Sequence, residues 1–162
     1  MIIDADGLWA LAQLGIQFKN REVFITPHPS EAAALCHVTA RDILYHPIES
    51  AKELTDRYGV TAILKSHATV ISSKRSGIYR FAILPYPNPA LATAGAGDVL
   101  AGILGGLLAQ CRSGALTRWF DAFEVAAMAI HAHSLAGRKA AQIHGNSMIA
   151  SNLIEELVMS NV

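Results

Sequence analysis

An excess of charge of either sign is what this sequence most plainly lacks. Thirteen Lys and Arg residues face 13 Asp and Glu, so the formal net charge is zero. No polybasic run breaks the balance, and the electrostatic footprint of a nucleic-acid-binding or membrane-surface protein is missing. Neither nucleic acid nor a membrane is expected as a partner. Cysteine is scarce: the two residues, Cys36 and Cys111, are far apart and lack metal-ligand spacing. They read as buried reduced thiols of a cytoplasmic protein. No stretch is long and apolar enough to span a bilayer, because Gly, Gln, Arg and Ser interrupt each run. The opening MIIDADGLWAL has no basic n-region and does not read as a signal peptide. Internal repeats and low-complexity linkers are lacking too. Seven histidines form no convincing metal set; His131 and His133, two apart in a helical stretch, point to different faces.

What is present is apolar. Of 162 residues, 52% are hydrophobic and only 16% charged, which predicts one compact domain over 1–162 with a sizeable core. MIID reads as a short buried strand, and DADGLWALAQLG as a helix with Leu8, Leu11, Ala12 and Leu14 on one side. EVFIT (22–26) is a second strand. Pro27 and Pro29 break it, and Ser30 with Glu31 opens a helix through Cys36. A helical region over 39–58 is split at Pro47, since a mid-helix proline costs about 3 kcal/mol. Gly59 ends it. VTAILK (60–65), ATVISS (68–73) and GIYRFAIL (77–84) read as strands, the last two joined by a tight turn at Lys74–Gly77. After three prolines, helices are expected at Ala96–Gln110, Thr117–Ala136 and Ser147–Val158. The alternation predicts an α/β layered domain with a mostly parallel sheet.

Four stretches could carry chemistry. In ATAGAGDVLAGILGG (92–106), Gly95 and Gly97 allow close approach of a ligand to the backbone. The apolar helix that follows points its N-terminus at the loop, a place suited to phosphate or a developing oxyanion. Asp98 is either a functional carboxylate there or a helix cap worth about 1 kcal/mol. In TPHPSE (26–31), Thr26, His28 and Glu31 sit between a strand end and a helix start, where open α/β sheets place ligands. The plainer reading is a rigid turn with a Ser/Glu capping pair. In LKSHAT (64–69), Lys65 ends an apolar strand and either meets a nucleotide phosphate or lies out in solvent. In DADGL (4–8), Asp4 and Asp6 either face a hydrated Mg²⁺ or cap the next helix.

Taken in order, DADGL, TPHPSE, LKSHAT, NPALATAGAGDVLAGILGGLLAQ, HAHSLAGRKAA and MIASNLIEELV resemble the C-terminal half of the ADP-dependent NAD(P)H-hydrate dehydratase family. That family belongs to the ribokinase-like superfamily, and the resemblance covers nearly the whole chain. It implies a ribokinase-like layered sheet with helices on both faces, the N-terminal part missing. It also implies use of ADP or ATP, with Mg²⁺, to phosphorylate the C6 hydroxyl of hydrated NADH or NADPH, after which phosphate leaves. By the match, Asp98 is the catalytic base and contacts substrate together with His28. Lys65, Ser66, His67, Ala68 and Thr69 line the adenine nucleotide, and Gly95, Ala96 and Gly97 hold its phosphates. No protein-held metal set is implied.

The chain departs from the family pattern at Ser30, where Gly is usual, at Ser66–His67, where Gly-Ala is usual, and at Asn152, where Asp is usual. The family's domain is also longer, and an opening strand without a leading turn is either a sheet edge or the latter part of something larger. Three outcomes stand open: a dehydratase, with association into a homo-oligomer or with a missing N-terminal part; a ribokinase-like sugar or vitamin kinase; and a catalytically silent nucleotide-binding remnant.

Overall fold

Prolines and glycines set most element boundaries, as the sequence predicts. The computed structural model describes residues 1–19, 21–114 and 120–158, in two units, Met1–Pro85 and Tyr86–Val162.

The first unit holds strands β1 (Ile2–Ile3), β2 (Phe24–Ile25), β3 (Thr61–Leu64), β4 (Thr69–Arg75) and β5 (Ile78–Leu84), with helices α1 (Asp6–Leu14), α2 (Pro29–Cys36), α3 (Ala40–Tyr45) and α4 (Pro47–Tyr58). The strands lie in the order β1-β2-β3-β4-β5. β1, β2 and β3 run parallel, whereas β3–β4 and β4–β5 are antiparallel. The expected mostly parallel sheet is therefore mixed. The reason is chain length: only residues 65–68 separate β3 from β4, and a parallel crossover needs a dozen or more. β4 and β5 close through Ser76 and Gly77, both at positive φ (50° and 81°), the backbone a tight primed hairpin turn requires.

Helical and strand faces meet in one core. Ile25, Ala62, Leu64 and Val70 pack with Leu8 and Leu11 of α1, Leu35 of α2 and Leu54 and Tyr58 of α4. Phe24, Ile63 and Ile71 alternate to the other face and are buried as well. Two polar side chains in this core are paired. Tyr58 donates to Leu35 O at 2.9 Å, and Thr55 Oγ1 lies 3.0 Å from Ser72 Oγ. Leu14 departs from the expected apolar stripe: it is 67% exposed, because the last turn of α1 runs beyond the sheet-facing positions.

The second unit contains a 3-10 turn at Pro89–Leu91 and helices α5 (Ala96–Arg112), α6 (Ala122–His144) and α7 (Ala150–Val158). The expected start of the middle helix at Thr117 lies outside the described residues. α6 opens at Ala122 behind a capping box, in which Asp121 Oδ1 accepts from Glu124 N–H and Glu124 Oε2 from Asp121 N–H. α7 begins three residues later than expected because Gly145–Ser147 forms a separate 3-10 turn. Ala136, Ala140, Met148 and Leu153 form the buried core, with Leu91 and Val99 packed against it. No helix among the described residues is long and apolar enough to cross a membrane.

Candidate functional site

The carboxyl ends of β1, β2 and β3 lie side by side, the edge at which parallel α/β sheets present ligand-binding residues. Asp4 follows β1, Thr26 to His28 follow β2, and Lys65 follows β3. Backbone bonds continue the ladder past the strands: Thr26 N–H donates to Ile3 O at 3.3 Å and Lys65 N–H to Pro27 O at 2.8 Å. The sheet thus brings a carboxylate and an ammonium together. Lys65 Nζ donates to Asp4 Oδ1 at 3.1 Å, and both side chains are part-buried. The solvated-lysine reading is corrected, and so is the capping reading of Asp4. The N-cap of α1 is Ala5, at φ 47°, ψ −123°, with no side-chain cap bond. A non-glycine residue at that φ stores backbone strain of about 1–3 kcal/mol.

His28, not Ser30, caps α2. Its Nδ1 accepts from the N–H groups of Ser30 and Glu31 at 3.2 and 3.4 Å, while Glu31 Oε2 accepts from His28 N–H at 2.8 Å. The expected Ser/Glu capping pair is therefore a His/Glu pair, because Pro29 fills the first helical position and moves the cap back to residue 28. Since Nδ1 accepts, the ring proton of neutral His28 sits on Nε2, 3.4 Å from Glu31 Oε1. Glu31 is buried and His28 half-exposed, so the imidazole is oriented by the helix start and still open to a ligand. Beside it, the buried Thr26 Oγ1 has no hydrogen-bond partner among the described residues.

The 65–68 turn is tied by Ser66 Oγ, which donates to Ala68 O at 2.8 Å. His67 is exposed, and Thr69 opens β4. Ser30, Ser66 and His67 all have ordinary negative φ, so these departures from glycine or alanine bring no backbone strain.

In the second unit the glycine loop closes onto α5. Gly95 is its N-cap, at φ 83°, and a Cβ there would lie 3.0 Å from Ala150 Cβ. Both facts favour glycine. Thr93 holds the loop from the other side: its Oγ1 donates to Met148 O at 3.2 Å, and its carbonyl accepts from Ala96 N–H. Asp98 is the third residue of α5 and is exposed. Its carboxylate has no hydrogen-bond or ion-pair partner among the described residues, so it is not spent as a cap. Val99 N–H bonds to Gly95 O, while the N–H groups of Gly97 and Asp98 have no backbone acceptor among the described residues. Two uncommitted donors and a helix dipole therefore converge at one end of α5. Asn152 keeps the capping role an Asp would fill, its Oδ1 accepting from Ile149 N–H at 3.1 Å.

Three residues matter more here than their sequence context suggests. Asp4 carries no local sign that its partner is Lys65. Glu31 shows only as a helix-opening residue. His133 is buried and sits 2.8 Å from Ala96 O, although no sequence pattern links it to the loop.

The layered sheet followed by a helical unit that opens on a Gly-x-Gly-Asp loop is the arrangement of ribokinase-like proteins. A ribokinase-like superfamily protein from Enterococcus faecalis superposes with a TM-score of 0.70 at 28% identity, over 98% of this chain and 52% of that one. The assignment narrows further: the NAD(P)H-hydrate dehydratase family model matches residues 1–159, and the chain belongs to that family. The bifunctional NAD(P)H-hydrate repair enzyme Nnr of Coxiella burnetii is 31% identical over 96% of this chain and 30% of its own length. The ADP/ATP-dependent NAD(P)H-hydrate dehydratase of Bacillus subtilis, co-crystallised with ATP/Mg²⁺, gives a TM-score of 0.79 at 25% identity over 98% of this chain and 54% of that one. The chain thus spans about a third to a half of the length of these relatives.

Proposed function

We propose that this chain carries the ADP- or ATP-dependent dehydration of hydrated NADH or NADPH. The observation that carries the proposal is the start of α5: an uncapped, exposed Asp98 beside the uncommitted N–H groups of Gly97 and Asp98. That combination suits phosphoryl transfer to an alcohol. A hydroxyl is a poor nucleophile until a base takes its proton, and a nearby carboxylate serves. Asp98 takes the proton of the C6 hydroxyl. The freed oxygen attacks the terminal phosphorus of ADP or ATP, and AMP or ADP departs. N–H donors at the helix start offset the charge on the transferring group, which is the main demand of such a reaction. The C6–O bond then breaks, inorganic phosphate leaves with that oxygen, and loss of a proton from the neighbouring carbon restores the dihydropyridine.

The other assignments follow the family match. His28, oriented by its cap bonds, contacts the hydrated nicotinamide nucleotide. Lys65, Ser66, His67, Ala68 and Thr69 engage the adenine nucleotide, and Gly95, Ala96 and Gly97 its phosphates. Among the described residues no three His, Cys, Asp or Glu side chains converge as a metal cage. Mg²⁺ belongs to this proposal as an ion brought in on the nucleotide phosphates, since it keeps most of its waters and takes few protein ligands. Assembly with a second chain belongs to the same proposal. Among the described residues β1 stands at an edge of the sheet, and a sheet edge is a surface on which a partner strand can pair.

The test is a pair of measurements on the full chain. Thermal shift with ADP and ATP reads binding, because a ligand stabilises by RT ln(1 + [L]/Kd). A coupled assay on hydrated NADH and NADPH reads turnover. Binding with turnover supports the proposal. Binding without turnover supports a silent nucleotide-binding protein, and phosphorylation of a sugar or vitamin supports a kinase.

A further inference from the structure

The Ala96–Gly97 peptide is held at one end and free at the other. At the held end, His133 Nε2 lies 2.8 Å from Ala96 O. A carbonyl oxygen only accepts, so the imidazole donates and Nε2 carries the proton. His133 stands within α6 and is 7% exposed, which locks its ring by packing. At the free end of the same planar amide is the Gly97 N–H, which has no backbone acceptor among the described residues. The C=O and N–H of one amide are rigidly opposed. A donor on the oxygen therefore fixes where the N–H points, and it polarises the amide so that the N–H donates more strongly.

We infer that His133 is a positioning residue: its Nε2–H sets the direction and donor strength of the Gly97 N–H. The inference deepens the proposed function, on which it rests for the identity of the anion. Three features support it. The bond is buried, so water does not compete for it. The carbonyl belongs to the first residue of α5, where a shift of one peptide re-aims the helix start. The loop is also pinned on its other side by Thr93, so the Ala96–Gly97 peptide is restrained from more than one direction. A residue needed only to fill space would not have to present a donor here.

The experiment compares His133→Gln, whose amide nitrogen reaches the position of Nε2, with His133→Leu, which fills the space without a donor. The Gly97 amide proton is followed by NMR in the ligand-free chain, and ADP and ATP affinity by calorimetry. In His133→Leu the Gly97 proton should move upfield and nucleotide affinity should fall about 5- to 10-fold, the scale of one weakened hydrogen bond. His133→Gln should stay near wild type in both. Should His133→Leu not fold, His133→Asn replaces it, being too short to reach Ala96 O. An unmoved Gly97 resonance in the donor-lacking variant overturns the inference, as does a His133→Gln variant as impaired as His133→Leu. A wild-type chain that binds no nucleotide refutes the nucleotide reading instead, and the Gly97 resonance then decides the inference alone.

Discussion

Lys65 Nζ donates to Asp4 Oδ1 at 3.1 Å, linking the carboxyl ends of β3 and β1 across 61 residues of sequence. The pair is part-buried, and each group neutralises the charge of the other. It also leaves a lysine pre-placed at a strand end, with donors to spare for a phosphate.

For Lys65→Ala, nucleotide affinity is expected to fall by about 1–3 kcal/mol, the range for a lost charge-assisted hydrogen bond. Asp4→Asn, which frees the ammonium but keeps its shape, should cost less affinity and more stability. Calorimetry and thermal melts on both variants separate the two effects. Equal affinity with and without Lys65 would place the nucleotide elsewhere.

Asp98→Asn keeps the size of the side chain and removes the carboxylate proposed as the base. Because Asp98 is not spent as a cap, the melting temperature should stay near wild type. Dehydratase activity should fall by about 10²-fold or more. The comparison is made in an active parent, and a variant that keeps most of that activity ends the assignment.

His28 separates cap from substrate contact by a different pair of variants. His28→Ala removes the bonds to Ser30 and Glu31 N–H and should cost about 1 kcal/mol of stability. His28→Asn restores a capping oxygen, so stability returns. If His28 also meets substrate, KM for the hydrated nucleotide stays raised in His28→Asn. Full recovery of both would make His28 a cap alone.

A pH effect is expected away from the site. Hydrogen bonds from Lys74 and then Tyr79 hold the Asp56 carboxyl below the ordinary carboxylate range. A lowered folded value stabilises the fold above the unfolded carboxylate's pKa, about 4, and the contribution is lost as pH falls through the lowered value. The groups are partly solvated, so the effect is small. Tyr79→Phe should flatten the decline in stability below about pH 4, and parallel acid-unfolding curves for variant and wild type would count against it.

Cys36 is the opposite case. Burial first, and Glu53 second, push its thiol up to about 11, against a small lowering by Arg57. The thiol is therefore neutral and shielded at physiological pH, and thiolate reagents should modify it only on unfolding. Rapid native-state labelling of Cys36 at pH 8 would contradict this burial. Stability linked to this group should be intact below the ordinary thiol value of 9.0 and be lost as pH rises through about 11.

Local signals alone determined much of this protein. Pro47 and Gly59 bound α4, a turn within Lys74–Gly77 joins β4 to β5, and Gly95 with the apolar run after Asp98 marks the loop and helix of the candidate site. Each rests on φ preference, a missing N–H or periodicity, which act within a few residues. Only the tertiary structure decided that β3 and β4 run antiparallel, that Asp4 meets Lys65 rather than capping a helix, and that His133 reaches Ala96 O, 37 residues away. A side chain's polar partner depends on which strand ends and helix faces packing brings together. The residues involved carry no local trace of that choice, because a lysine, an aspartate or a histidine offers the same donors and acceptors wherever it stands.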